Sequence, residues 1–280
     1  MKLELKKFDP NSIKDDSTIV LIGKRNTGKS FCMKDILSHH KNIPIGMTIS
    51  PTEIANKYFE KFIPKMLIHE SYTQEIIQKF MDRQVKICKK VNKEKERTGY
   101  SSIDPRAFLI LDDCLYDNSW TKDINIKSCF MNGRHYKIFF LITMQFPLGI
   151  PPHLRANIDY IFIFRDNMIR NKQKIYEHYA GMFPNFDVFR TVMDSCTENY
   201  ECLVINNKVQ SNKIEDQVFW YKATESDFKM CRDDLWDLQA IQDQKSAIAD
   251  DEEEYEEQYD PNLLIKQKTK ITVKKKDCYY

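Results

Sequence analysis

The run Gly23, Lys24, Arg25, Asn26, Thr27, Gly28, Lys29, Ser30 fills every fixed position of the pattern GxxxxGK[ST]. These residue types suit a triphosphate. Glycine at both ends lets the backbone wrap tightly enough to aim successive N–H groups inward, and a helix opening near Lys29 adds unpaired N–H groups and its dipole. Lys29 supplies a mobile positive charge for the β and γ phosphates, and Ser30 offers its hydroxyl to Mg²⁺. The competing explanation is a chance turn. At average residue usage the four fixed positions coincide on the order of once in a hundred chains of this length, and this chain holds only 7 glycines.

A triphosphate site also needs a carboxylate for the metal and, for hydrolysis, a base that orients water against the γ phosphate. Asp112 and Asp113 end the apolar run AFLILDD, at the strand end where α/β sheets bind ligands. Asp112 is assigned to Mg²⁺ and Asp113 to the attacking water. The blander reading is a pair that caps a loop or helix. Gln145 ends a later apolar run, IFFLITM, where its amide can touch both the γ phosphate and the water.

These groups demand a scaffold of buried strands. The runs at 18–22, 45–50, 107–111, 138–144 and 160–164 are continuously apolar, as strands covered on both faces are. Segments 29–40, 72–98 and 120–136 between them read as helices, followed by helices at 171–180 and 186–197. Two further strands, 201–205 and 217–221, either form a hairpin across Asn206 and Asn207 or extend the sheet edge. The fold class is therefore α/β, with a mainly parallel central sheet flanked by helices. One ATPase domain is expected over 1–245, with its core at 17–205.

Composition is globular, with 42% hydrophobic and 30% charged residues. No apolar stretch reaches the roughly 18–20 residues that span a bilayer, so no membrane insertion is expected. The eight cysteines show no zinc spacing, and reduced thiols are expected. The net charge of +2 hides an asymmetry: 250–260 is acidic, and lysines 266, 268, 270, 274, 275 and 276 follow. Residues 246–280 are expected to form a flexible acidic-then-basic tail.

The ordered set FDPNSIKDDSTIVLIGKRNTGKS, ISPTE, FLILDD, NGRHYKIFFLITMQ and LRANIDYIFIFRDN resembles the DNA-packaging ATPases of nucleocytoplasmic large DNA viruses, within the FtsK/HerA group of translocases. The resemblance covers about residues 1–205. It implies a RecA-like core, a homo-oligomeric ring, and ATP-driven movement of double-stranded DNA into a capsid. Capsid or portal vertex proteins are implied partners, and the host cytoplasm at the viral factory, or the virion, is the implied location. In such a ring one subunit is expected to offer an arginine to its neighbour's nucleotide. Arg134 in NGRHY is the first choice by motif position, with Arg155 and Arg165 as alternatives and a surface or ion-paired arginine as the competing reading. Beside it, His135 reads as a packing or hydrogen-bonding residue.

The basic residues between Lys86 and Arg97, and the segment 147–155, are candidate DNA-facing surfaces; a solvated helix face is the alternative for the first. Two other functions compete. A small-molecule phosphotransferase of nucleotide-kinase type shares the phosphate loop. A subunit that binds ATP as a switch without hydrolysing it is compatible with the short Asp113 side chain, since motors of this broad class usually carry Glu there.

Overall fold

The apolar strands are sandwiched, and their alternate residues serve two different cores. The computed structural model describes residues 3–114, 118–147 and 149–256. Val20, Leu109, Leu111, Phe140 and Ile142 face one side of the sheet, while Ile19, Leu21, Phe108, Ile110, Phe139 and Leu141 face the other. With a side-chain period of two, both halves must be apolar only if both faces are covered.

Among the described residues eight strands form one sheet: β1 (Thr18–Ile22), β2 (Gly46–Ile49), β3 (Ile68–His69), β4 (Ala107–Asp112), β5 (Ile138–Met144), β6 (Tyr160–Ile163), β7 (Glu201–Asn206) and β8 (Val218–Lys222). Their spatial order is β3-β2-β4-β5-β1-β6-β7-β8. The first six in that order run parallel, and β7 and β8 are added antiparallel. The two late strands thus extend the sheet edge and also pair with each other. Eleven residues, 207–217, separate them, including a short helix, in place of a tight turn at Asn206 and Asn207.

The helices are α1 (Lys29–His39), α2 (Glu53–Asn56), α3 (Gln74–Thr98), α4 (Ile124–Asn132), α5 (Pro152–Arg155), α6 (Ile169–Tyr179), α7 (Phe186–Cys196), α8 (Ile214–Gln217) and α9 (Asp233–Glu256). Met33, Ile36 and Leu37 of α1 enter one core; Ile77 and Phe80 of α3, Ile126 and Phe130 of α4, and Phe189 and Met193 of α7 enter the other. The helix expected over 120–136 is shorter than that span. A 3-10 turn at Asn118–Lys122 precedes it, and Asp123 caps α4 by accepting the Asn125 N–H at 2.8 Å, which fixes a fresh helix start.

Asp35, buried inside α1, accepts hydrogen bonds from the Tyr221 hydroxyl on β8 and from Thr224 N and Oγ1, the latter at 3.1 Å. This ties the first helix to the far strand of the sheet. The chain divides into two units, Met1–Trp236 and Asp237–Tyr280. All of the sheet lies in the first. Of the segment 246–280 expected to be a flexible tail, residues 246–256 instead continue α9, and 257–280 lie outside the described residues.

Candidate functional site

The phosphate loop joins the end of β1 to the start of α1, so the sheet and the helix fix its two ends independently. Gly23 N–H donates to Met144 O at 3.1 Å, which stitches the loop's start to the end of β5. A Cβ on Gly23 would stand 2.6 Å from Phe164 Cβ, closer than side chains pack, and Gly28 has a φ of +95°, in the left-handed region that favours glycine. Both glycines are therefore required by geometry. Inside the loop, Thr27 Oγ1 donates to Lys24 O at 2.7 Å, and Lys24 Nζ sits 2.9 Å from Asp166 Oδ1.

Lys29 is buried beneath the loop. Its ammonium donates to Gly23 O at 2.6 Å and lies 3.6 Å from Asp113 Oδ2. Burial pulls its pKa below the ordinary lysine value, against the opposing pull of Asp113 and Asp112. A lysine partly stripped of water, with two partners among the described residues for its three donors, can accept an anion.

Asp112 and Asp113 are consecutive but live differently. Asp112 is buried: Thr143 Oγ1 donates to its Oδ1 at 2.7 Å and Ser50 Oγ to its Oδ2 at 3.1 Å. Its carboxyl is raised above the ordinary range, chiefly by burial and also by the charge of Asp113, while the Thr143 and Ser50 hydrogen bonds act the other way. Asp113 is half-exposed at a φ of +46°, and this left-handed turn of the chain swings its carboxylate out of the strand. Its N–H donates to Thr143 Oγ1 at 3.0 Å, and Gln145 Nε2 donates to its Oδ2 at 3.0 Å. One hydroxyl, that of Thr143, therefore holds both aspartates.

These groups line a cleft of about 650 Å³ with Lys24, Arg25, Asn26, Gly28, Ser30, Phe31 and residues of the segment 51–58. That segment is held as a wall by Glu53, whose carboxylate accepts the N–H groups of Tyr58, Phe59 and Glu60, and by Tyr58, whose hydroxyl donates to Ser30 O at 2.8 Å. Another cavity, of about 540 Å³, is lined by Leu3, Leu5 and α7, with Asp187 as the one charged side chain among the described residues that line it. It lacks the convergence of opposite charges that the cleft has.

The residues fit a magnesium ion that arrives with phosphate. Asp112 is a carboxylate whose burial and neighbouring charge favour a cation, and Ser30 is exposed on the first turn of α1. Among the described residues no group of three or more His, Cys, Asp or Glu converges on one point, so the remaining ligands of such an ion would be phosphate oxygens and water.

Lys29, Ser30, Asp112, Asp113 and Gln145 are thus brought together with the loop. Arg134 is not. It lies before β5, at the N-terminal end of the sheet and so at the opposite end from the cleft. There its guanidinium, 58% exposed, binds Asp159, 2% exposed, which also accepts Thr18 N–H at 2.8 Å. Arg155 ends α5, with its guanidinium 5.5 Å from the Tyr179 ring centroid, and Arg165 follows β6 with Nε 3.2 Å from Asn167 Oδ1. Of the cleft's groups, sequence reasoning missed Ser50, Thr143 and Glu53 as anchors. A hydroxyl inside an otherwise apolar strand, as at Thr143, was the available signal, since a buried hydroxyl needs a partner.

No family model matches the chain. It is 42% identical to protein L437 of Acanthamoeba polyphaga mimivirus, which is uncharacterized, over 228 residues, 81% of this chain and 80% of that one. It is 36% identical over 234 residues to the likewise uncharacterized protein 075L of Invertebrate iridescent virus 6, covering 80% of this chain and 87% of that one. Among solved structures, the genome packaging NTPase B204 from Sulfolobus turreted icosahedral virus 2 in complex with ATP-gammaS matches with a TM-score of 0.51 at 15% identity, over 75% of this chain and 99% of that one. Its complex with AMPPCP gives 0.50, over 76% and 100%. At this identity the likeness establishes the fold. The chain belongs to the family of large DNA virus proteins that includes L437 and 075L, and it has the fold of the viral genome-packaging ATPases.

Proposed function

We propose that this protein is an ATP-driven double-stranded DNA translocase that packages a viral genome into a capsid, acting as a homo-oligomeric ring. The observation that carries the reading is the convergence of Lys29, Asp112, Asp113 and Gln145 on one cleft beside the phosphate loop. The shared fold with a genome packaging NTPase supports the direction of the work. In this reading the loop N–H groups and Lys29 bind the β and γ phosphates, and Lys29 exchanges Gly23 O and Asp113 for phosphate oxygens. Ser30 and Asp112 hold Mg²⁺, which would supply neutralisation of phosphate charge. Released from Lys29, Asp113 orients the attacking water and accepts its proton, and Gln145 steadies that carboxylate.

The DNA-facing surface we favour is the C-terminal half of α3. Lys86, Lys89, Lys90, Lys93, Lys95 and Arg97 are all exposed there, and a packaging motor must bind the phosphate backbone of any sequence. For Arg134, the buried carboxylate it holds favours a structural role; action on a neighbouring subunit's phosphate would require it to release Asp159.

The test is ATP turnover by the full chain, with and without long duplex DNA at several salt concentrations. Stimulation by duplex, independent of sequence and declining as salt rises, is the expected result. Stimulation by one nucleoside monophosphate with none by DNA would replace the motor with a phosphotransferase. Binding of ATP without turnover under any condition would leave a switch.

A further inference from the structure

The cleft fixes which way a nucleotide runs through it. Asp112 at the end of β4, Asp113 just beyond it and Gln145 after β5 stand on one side of β1, so the γ-phosphate end points there. On the other side of β1 come β6 and then β7. A nucleotide threaded on the loop with its last phosphate toward β4 and β5 carries its ribose and base toward the β6–β7 rim.

Tyr200 stands at that rim. It precedes β7, and a Cβ built on Gly28 would lie 3.6 Å from both its Cβ and its Cδ1, so the tyrosine rests against the phosphate loop itself. The residue is 71% exposed. Its backbone is unusual: Asn199 and Tyr200 have φ of +49° and +64°, two consecutive left-handed residues in a turn closed by Glu201 N–H to Glu198 O at 2.8 Å. Asparagine tolerates this region, but for tyrosine it is a strained choice that glycine would avoid. Neither the turn nor the core calls for an aromatic ring at this point, yet one is held in the open beside the loop.

We propose that the Tyr200 ring is the platform on which the base of the nucleotide stacks, on the β6–β7 side of the phosphate loop. The inference rests on the phosphate-loop reading and adds the base subsite to it. A flat ring offers area without a hydrogen-bonding code, so it accepts the π-face of any base.

The experiment separates base from phosphate. Calorimetric binding of ATP and of inorganic tripolyphosphate, each with Mg²⁺, is compared for the parent chain and for Tyr200→Gly, Tyr200→Phe and Phe31→Ala, the last removing the other exposed ring at the loop. The parent is expected to prefer ATP over tripolyphosphate. Tyr200→Gly is expected to weaken ATP roughly 5- to 150-fold, from the usual worth of one base–aromatic stack, with tripolyphosphate unchanged. Tyr200→Phe should keep ATP within about twofold, since the ring face is retained. Glycine accepts the left-handed φ, so a thermal midpoint at or above the parent's confirms an intact fold. Several results overturn the platform: unchanged ATP affinity in Tyr200→Gly, equal losses for ATP and tripolyphosphate, or a selective ATP loss in Phe31→Ala alone. If the parent binds neither ligand, the phosphate-loop reading fails first and the base subsite falls with it.

Discussion

Charged groups crowd both ends of the parallel sheet, and the two ends use them in opposite ways. At the N-terminal end the charges complete one another. Arg134 meets Asp159, Arg106 bridges Asp104 and Asp15, His40 meets Asp15, and Lys137 lies 3.5 Å from Asp16. At the C-terminal end they are left incomplete. Asp112 is raised by burial and by Asp113, Lys29 is lowered by burial, and Asp113 occupies a left-handed conformation that a buried strand would not choose. A cluster whose charges close on themselves fits a role in the fold, and one whose charges remain half-answered is a candidate for binding a ligand. That distinction can be broken by experiment.

The largest effect should come from the open end. Asp113→Asn is expected to lower ATP turnover about 10²- to 10⁴-fold while nucleotide binding and the thermal midpoint are retained, because asparagine keeps the shape and accepts the left-handed φ but cannot take a proton. Steady-state turnover beside equilibrium nucleotide binding decides it. Parental turnover in this variant would remove Asp113 from the chemistry.

A middling effect of the opposite kind is expected at the closed end. Arg134→Ala leaves the buried Asp159 with Thr18 N–H as its backbone donor and should reduce stability by roughly 1–2 kcal/mol, a few degrees in thermal midpoint, with nucleotide affinity unchanged. The loss sits at the low end because the guanidinium is 58% exposed. Unchanged stability with turnover lost only in the assembled ring, and restored by mixing with Asp113→Asn subunits, would instead give Arg134 a role in trans.

The smallest effect is one of pH. His40 is buried against Phe139, with ring centroids 4.4 Å apart, and burial pulls its pKa below the ordinary histidine value although Asp15 pulls the other way. Free histidine titrates near 6.5, so below that pH the unfolded chain takes up the proton more readily and folding stability falls as the solution is acidified. The slope from this group is at most about 1.4 kcal/mol per pH unit. Thermal midpoints measured from pH 7.5 to 5.5 should decline less steeply in His40→Gln than in the parent. Identical slopes would mean that burial and Asp15 cancel and leave the group unshifted, and a shallower decline in the parent would mean that Asp15 prevails and holds His40 charged.

What the sequence made legible were groups adjacent along the chain. The phosphate loop is eight consecutive residues and the aspartates are neighbours, so pattern alone located them, and the apolar runs located the strands that carry them. Their anchors were hidden because the contacts span the chain: Thr143 reaches Asp112 across 31 positions and Ser50 across 62. The ion pair of Arg134 was hidden too, because nothing near it in sequence is acidic and Asp159 reaches it only once β5, β1 and β6 lie side by side. The paired strands after 200 were legible as strands, but no periodicity could tell an edge extension from a hairpin, and they proved to be antiparallel partners at that edge. Left-handed residues such as Asp113 and Tyr200 leave no compositional trace at all.

The tether at Asp35 has a mechanical consequence. It clamps α1 to Tyr221 and Thr224 six residues beyond Lys29, roughly 9 Å along the axis at 1.5 Å per residue. A helix pinned partway along cannot slide freely when its first turn is pulled toward a ligand. Drawn at its first turn, such a helix would turn about the pin, its two ends swinging in opposite senses, and a small displacement at the loop would reappear, reversed, near His39. In that motion the clamp would be the fulcrum, and the first helix a rocker rather than a piston.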